Sequence, residues 1–350
     1  MPSLERAGDM NPLRLHPCPP GFPLRKRALA VAVAAAFLWM ASVAVAQERP
    51  LRKVTFLPQW YPQAQFAGYY VAKEKGFYRN RGLDVVLLRG GPGRSPEEAI
   101  LRGQADFTTL FLAEGIRLRT EGLKLVHLAQ VVQRSGFLLV ARKSSGIRKP
   151  QDFEGKKVSL WDHSRAQPLA FFRKYGVRPI VVQQTFTTNL FLRGGVDAAS
   201  AMVYNEYHTL LNAGLDGEDL SVFPLADYGI NAPEDGIWCR EEFRIRNPEL
   251  SRAFVAASLE GWQYAFAHPE EALDIVMKYV DEAKINTNRS HQRWMLARMK
   301  DLIQPAGLDR PPGSLDREDC ERVVRELAAA GVIRSLPHYG DIHVQDLPGK

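Results

Sequence analysis

The side chains with the most to offer chemically stand in a few tight groups. Between Lys53 and Gly82 the chain reads KVTFLPQWYPQAQFAGYYVAKEKGFYRNRG, with Trp60, Gln63, Gln65 and Tyr69 close together in its middle. Flat rings stack on flat guests, an offset pair contributing about 0.5–1.5 kcal/mol beyond burial. Glutamine amides present both a donor and an acceptor to a heterocycle edge. Thr108 and Thr109 offer hydroxyls, and N–H groups at a helix start, to a ligand oxygen or anion. Tyr204-Asn205-Glu206 sets a carboxylate beside a ring and an amide. That carboxylate can accept two hydrogen bonds from an amino-bearing ring, each charged bond contributing on the order of 1.5–3 kcal/mol. Trp161, Asn189, Asp227 and Tyr228 extend the same candidate wall. Gly90-Gly91-Pro92-Gly93-Arg94-Ser95 is the alternative, a cradle for an anion, although the acidic and aromatic groups elsewhere argue against one. Plainer roles stay open: Tyr69 as core, the glutamines as loop amides, the threonines as helix caps, Glu206 as a first-turn carboxylate favoured by the helix dipole.

Nothing in the chain has the spacing of a catalyst. No Ser-His-Asp order, H-E-x-x-H, P-loop or G-x-G-x-x-G occurs. Cys239 and Cys320 lie far apart without metal-ligand spacing; a disulfide between them is allowed in an oxidising compartment, and two unpaired thiols are the plainer reading. No catalytic residue, metal site or cofactor is therefore assigned.

The elements that must position these groups read as strand–helix alternation. An apolar strand over 54–57 ends at Pro58, which cannot donate to a ladder. A helix over 67–75 is stopped by Gly76. The aromatic loop thus leaves the carboxyl end of a strand and enters a helix, the place where open α/β sheets bind ligands. Residues 83–88 form the next strand, and Ser95-Pro96-Glu97-Glu98 starts a helix with a Ser cap, Pro first and Glu in the first turn. Then come a short strand over 105–107, a turn at Thr108-Thr109-Leu110 and a helix over 111–120. Further strands are expected at 124–132, 136–141, 158–160, 180–183, 198–203 and 220–224, with 227–238 as a loop and the remainder helical. Short connections between alternating elements make this an α/β chain of mainly parallel sheets flanked by helices.

The 350 residues suffice for two domains or one split into two lobes. Residues 1–46 read as a secretory signal peptide: Arg25-Lys26-Arg27, an apolar run over 28–45, and Ala44-Val45-Ala46 before Gln47. A retained anchor is the alternative, since a run of about 18 residues is at the lower edge for a bilayer. The formal net charge of +7 falls to a mild +4 without this leader, and the basic residues are scattered. Nucleic-acid binding, which wants a concentrated basic stripe, is set aside. An exported monomer, periplasmic or otherwise extracytoplasmic, is expected.

Several segments carry a family resemblance. Gly68-Tyr69-Tyr70-Val71-Ala72-Lys73-Glu74-Lys75-Gly76-Phe77-Tyr78, Gly82-Leu83-Asp84-Val85, Gly103-Gln104-Ala105-Asp106-Phe107, Asp152-Phe153-Glu154-Gly155-Lys156-Lys157-Val158 and Val196-Asp197-Ala198 follow in order. Together they resemble periplasmic solute-binding proteins related to thiamine pyrimidine synthase and to alkanesulfonate-binding proteins, from Val54 to about Tyr339. The resemblance implies a two-lobed periplasmic-binding-protein fold that holds a ligand between lobes and delivers it to the permease of an ABC importer. Lobe 1 would comprise 47–141 and 238–350, lobe 2 142–237, with hinge crossings near Ala141–Ser144 and Gly236–Arg240. The implied ligand is a small heterocycle, a thiamine pyrimidine precursor or riboflavin; sulfonate, taurine or nitrate is the alternative. Tyr204-Asn205-Glu206 resembles the aromatic–Asn/Trp–Glu segment of pyrimidine-binding members. The family's eukaryotic enzymes carry a cysteine cluster used with iron, which Cys239 and Cys320 do not form, so a synthase is the minor alternative.

Overall fold

The computed structural model describes residues 50–344, apart from the side chain of His163. The expected signal peptide, 1–46, lies outside the described residues. Among the described residues ten strands make two five-stranded sheets. The first contains β1 (Arg52–Leu57), β2 (Leu83–Leu87), β3 (Phe107–Leu110) and β4 (Leu125–Gln130), and the second β5 (Phe137–Arg142), β6 (Lys157–Leu160), β7 (Ile180–Gln183), β8 (Ala198–Met202) and β9 (Leu220–Pro224). β10 (Gly236–Arg240) returns to the first sheet. The orders are β2-β1-β3-β10-β4 and β7-β6-β8-β5-β9. In each sheet one strand runs against both neighbours, β10 against β3 and β4, and β5 against β8 and β9. These are the two strands that bring the chain in from the other sheet. A chain arriving at the carboxyl ends of parallel strands can only run back along them.

Two expectations change here. Phe137–Arg142 closes no first lobe: it pairs with β8 and β9, so the first crossing is 131–136 rather than Ala141–Ser144. Gly236–Arg240 is no hinge but a central strand, with Ile237, Trp238 and Cys239 fully buried, and the return crossing lies just before it. The crossings are tied together: Ser135 N donates to Asn231 Oδ1 at 2.8 Å and Gly136 N to Glu234 Oε1 at 2.7 Å.

The motif residues explain themselves physically. Asp106, at the head of β3, accepts from Thr55 N (2.8 Å) and Thr55 Oγ1 (2.9 Å) of β1. Asp197, at the head of β8, likewise accepts from Lys157 N of β6 at 2.8 Å. Each carboxylate pins its strand to its parallel neighbour. Gly68 lies in the first turn of the helix Ala67–Glu74 where that helix crosses Pro248–Ala267. A Cβ on Gly68 would stand 2.3 Å from Trp262, and one on Gly261 2.0 Å from the Gly68 carbonyl, so only glycines let the helices meet. Gly76, at φ +76°, turns the chain out of the first of them. Behind the first sheet Phe107 stacks on Phe254 at 4.1 Å, with Phe56 and Tyr78 each 5.2 Å from the same ring.

Candidate functional site

A cavity of about 550 Å³ lies between the sheets, within the range of about 300–1,000 Å³ usual for small-molecule sites. Its walls are built at the carboxyl ends of six parallel strands. Gln59, Trp60, Gln63 and Gln65 follow β1, Gly91–Glu98 follow β2, and Leu110 and Phe111 end β3. Across from them, Trp161 and Ser164 follow β6, Phe186 follows β7, and Met202 with Tyr204, Asn205 and Glu206 ends β8.

Of the residues singled out from sequence, Trp60, Gln63, Gln65, Trp161, Tyr204, Asn205 and Glu206 come together on this lining. Six do not line it. Tyr69 is core, its ring 4.6 Å from Phe56 and edge-on to Trp262. Thr108 and Thr109 belong to β3 rather than a turn and are fully buried. The Thr108 hydroxyl donates to the Leu57 carbonyl at 2.7 Å; Thr109 Oγ1 accepts from Gln59 N at 3.0 Å and so seats the aromatic loop. Asn189 opens the short helix Asn189–Leu192 on the exposed side. Asp227 pairs with Arg134, and Tyr228 packs edge-on to Phe171 at 5.2 Å.

The polar groups of the loop are wired to a carboxylate that sequence reasoning missed. Gln63 Nε2 donates to Gln65 Oε1 at 2.6 Å, Gln65 Nε2 to Asp235 Oδ2 at 2.7 Å, and Gln59 Nε2 to Asp235 Oδ1. Burial pushes Asp235 up to about 7 against the pull of those two amides. Beside it Glu234 is pushed up to about 8 by burial and then by Asp235, while the Gly136 N–H and Ser135 hydroxyl pull it down. Its Oε2 has no partner among the described residues. The only signal was the apolar Ile237-Trp238-Cys239 triplet after Asp235-Gly236, which marks a strand with two acids at its mouth.

Glu206 is held from its own segment: Oε2 accepts from Met202 N at 3.0 Å and Oε1 from Asn205 Nδ2 at 2.8 Å. Desolvation raises its pKa, and those two donors together with its own backbone N–H lower it. With three donors on about four lone-pair sites, the carboxylate keeps room for one further donor. The rings need no ligand to hold station. Trp161 Nε1 donates to the Thr185 carbonyl at 3.1 Å, and Trp60 meets Phe186 of the opposite wall at 5.2 Å. Ser164 Oγ, on the lining and buried, has no hydrogen-bond partner among the described residues. At the rim, Glu97, Glu98 and Glu114 outnumber Arg94. Arg117 pairs with Glu114 at 2.6 Å and Glu97 at 3.8 Å, and its neutralising charge is spent there.

A profile of proteins described as NMT1/THI5 like matches residues 63–272. The chain belongs to the NMT1/THI5-like family. Relatives within reach of this family include the riboflavin-binding protein RibY of Chloroflexus aurantiacus, 28% identical over 70% of this chain and 71% of its own length. The formylaminopyrimidine-binding protein of Halalkalibacterium halodurans is 24% identical over 84% of this chain and 91% of that one. The 4-amino-5-hydroxymethyl-2-methylpyrimidine phosphate synthase THI11 of Saccharomyces cerevisiae is 23% identical over 69% and 75%. Among solved structures, the periplasmic aliphatic sulphonate binding protein SsuA of Escherichia coli superposes with a TM-score of 0.65 at 16% identity, covering 85% of this chain and 98% of that one. The fold of this NMT1/THI5-like chain is thus the two-lobed periplasmic-binding-protein fold.

Proposed function

We propose that the protein is the extracytoplasmic solute-binding component of an ABC importer and that its cavity holds a small, flat heterocycle of the pyrimidine-precursor or flavin kind. The observation that carries this reading is the pairing of aromatic faces, Trp60, Trp161 and Tyr204, with the Glu206 carboxylate around a cavity of about 550 Å³. Rings supply stacking, Glu206 accepts from an amino or imino edge, and the Gln63–Gln65–Asp235 chain fixes which amide atoms are left to face a guest. Relatives named for riboflavin and formylaminopyrimidine support that class. Contacts from both walls favour the closed arrangement over the open one, with 131–136 and the segment before β10 as the hinge. A sulfonate or nitrate fits poorly: the rim glutamates repel it, and Arg94 lies exposed. The permease of the importer is the partner such a protein serves.

The synthase reading has less behind it. Cys239 sits fully buried in β10 with its thiol pKa raised by burial, and Cys320 is buried in the helix Arg317–Ala329 with its pKa pushed up to about 12. Neither lines the cavity. The deciding experiment incubates the purified protein with riboflavin and with formylaminopyrimidine, follows the melting temperature, and recovers the small molecule. A saturable rise with the compound recovered intact supports binding; conversion to another pyrimidine supports the synthase.

A further inference from the structure

One hydroxyl on the cavity wall has no use within the fold. Ser164 lies on the lining with 8% of its surface exposed, and its buried Oγ has no partner among the described residues. The backbone beneath it is held, with Ser164 N donating to the Trp161 carbonyl at 3.4 Å across the turn Asp162–Ser164. A polar group taken out of water without a partner destabilises the protein that carries it. Resting on the solute-binding reading above, we propose that Ser164 is a specificity residue, its hydroxyl donating to an acceptor on the same ring edge whose N–H meets Glu206.

The neighbouring polar groups of this wall are taken up by one another. Trp161 Nε1 goes to the Thr185 carbonyl at 3.1 Å. Gln184, just past β7, accepts from Ser159 Oγ at 2.9 Å and Ser200 N at 3.0 Å and donates to the Ser200 carbonyl at 2.8 Å, tying β6 to β8. Asn205 gives Nδ2 to Glu206 Oε1 at 2.8 Å, and its Oδ1 faces His291 Nε2 at 3.0 Å. Two features are left for a guest. The Glu206 carboxylate has room for one more donor, and the Ser164 hydroxyl has a hydrogen to give.

Those two groups are also neighbours in the topology. β6 and β8 run parallel and side by side, with Val158 opposite Ala198, and Ser164 and Glu206 each come four positions after their strand's last residue, Leu160 or Met202. Paired strands lie about 4.8 Å apart. Adjacent atoms of one ring edge answer such a pair when one donates and the next accepts: an amino group beside a ring nitrogen, or a ring N–H beside a carbonyl. A sulfonate or phosphate brings acceptors alone and leaves the Glu206 carboxylate facing oxygen. The pair therefore selects the donor–acceptor edge of an amino- or imide-bearing heterocycle.

The test pairs a variant with a matched change in the ligand. Formylaminopyrimidine and its deaza analogue, with CH in place of the ring nitrogen beside the amino group, are titrated calorimetrically into wild type and Ser164→Ala at pH 7. Riboflavin is treated in the same way against its 2-thio and 4-thio analogues, in which sulfur is the poorer acceptor. Removing the hydroxyl should weaken binding of the parent compound about tenfold, and removing the ring acceptor should weaken binding to wild type by about the same factor. In Ser164→Ala, parent and analogue should then bind alike, within about twofold. A merely structural role would lower both affinities by one factor, and that additive result overturns the proposal, as does a variant that binds the parent as tightly as wild type does. Wild type that binds none of the compounds overturns the solute-binding reading instead. Ser164 is then judged by the melt of the ligand-free proteins. A Tm for Ser164→Ala equal to or above that of wild type supports a hydroxyl kept for a guest; a lower one, the sign of a partner within the fold, refutes it.

Discussion

Glu234→Gln tests the electrostatics of the crossing between the sheets. Glu234 is fully buried, one oxygen is held by Gly136 N at 2.7 Å and Ser135 Oγ at 3.0 Å, and the other has no partner among the described residues. Its pKa rises from 4.5 to about 8, with burial the main cause and Asp235 the next. Because the native carboxyl holds its proton more tightly than the unfolded one, stability present near pH 5 fades as pH climbs toward 8. Between those values one such group removes on the order of 3 kcal/mol. For a chain of this size that is roughly 5 °C in Tm. Glutamine keeps the acceptor for Gly136 and Ser135 but never ionises. Thermal melts of both proteins at pH 5, 6.5 and 8 should show Tm values close together at pH 5 and the variant several degrees higher at pH 8. Parallel Tm-versus-pH curves would refute the reasoning, since they would mean that Glu234 titrates as if exposed.

Two further outcomes follow from packing. Gly68→Ala drives a Cβ to 2.3 Å from Trp262, an overpacking worth about 1–3 kcal/mol, so its melt should fall by a few degrees; an unchanged Tm would contradict the close helix crossing. Phe186 is 57% exposed yet meets Trp60 across the cavity at 5.2 Å, so Phe186→Ala should leave Tm nearly unchanged and speed ligand release about two- to tenfold in stopped-flow measurements. Equal dissociation rates would remove that contact from the closed state.

The legible parts of the chain were those whose local chemistry is self-sufficient. Ser95-Pro96-Glu97-Glu98 forms the expected cap, with Ser95 Oγ accepting from Glu98 N at 3.2 Å, and Gly76 turns left-handed as expected. Trp60 and Glu206 reach the same cavity because both follow carboxyl ends of parallel strands, a relation that alternation reveals. What was hidden depends on long-range pairing. Thr108-Thr109 looks like a turn until β1 and β10 flank it, and Gly236–Arg240 looks like a loop until β3 and β4 do. Tyr69 and Trp60 share a ring chemistry; only the helix crossing at Gly68 turns one of them into the core. Asp235 could not be found from its neighbours, because its partners Gln59 and Gln65 lie some 170 residues away.

The central claim is that Glu206 and the facing rings grip one flat guest. Isothermal titration of riboflavin and formylaminopyrimidine into wild type and Glu206→Ala at pH 7 measures it most directly. Saturable one-to-one binding of one compound by wild type, weakened at least about tenfold in the variant while its Tm holds, is the predicted result. Equal affinity in the two proteins would contradict the account.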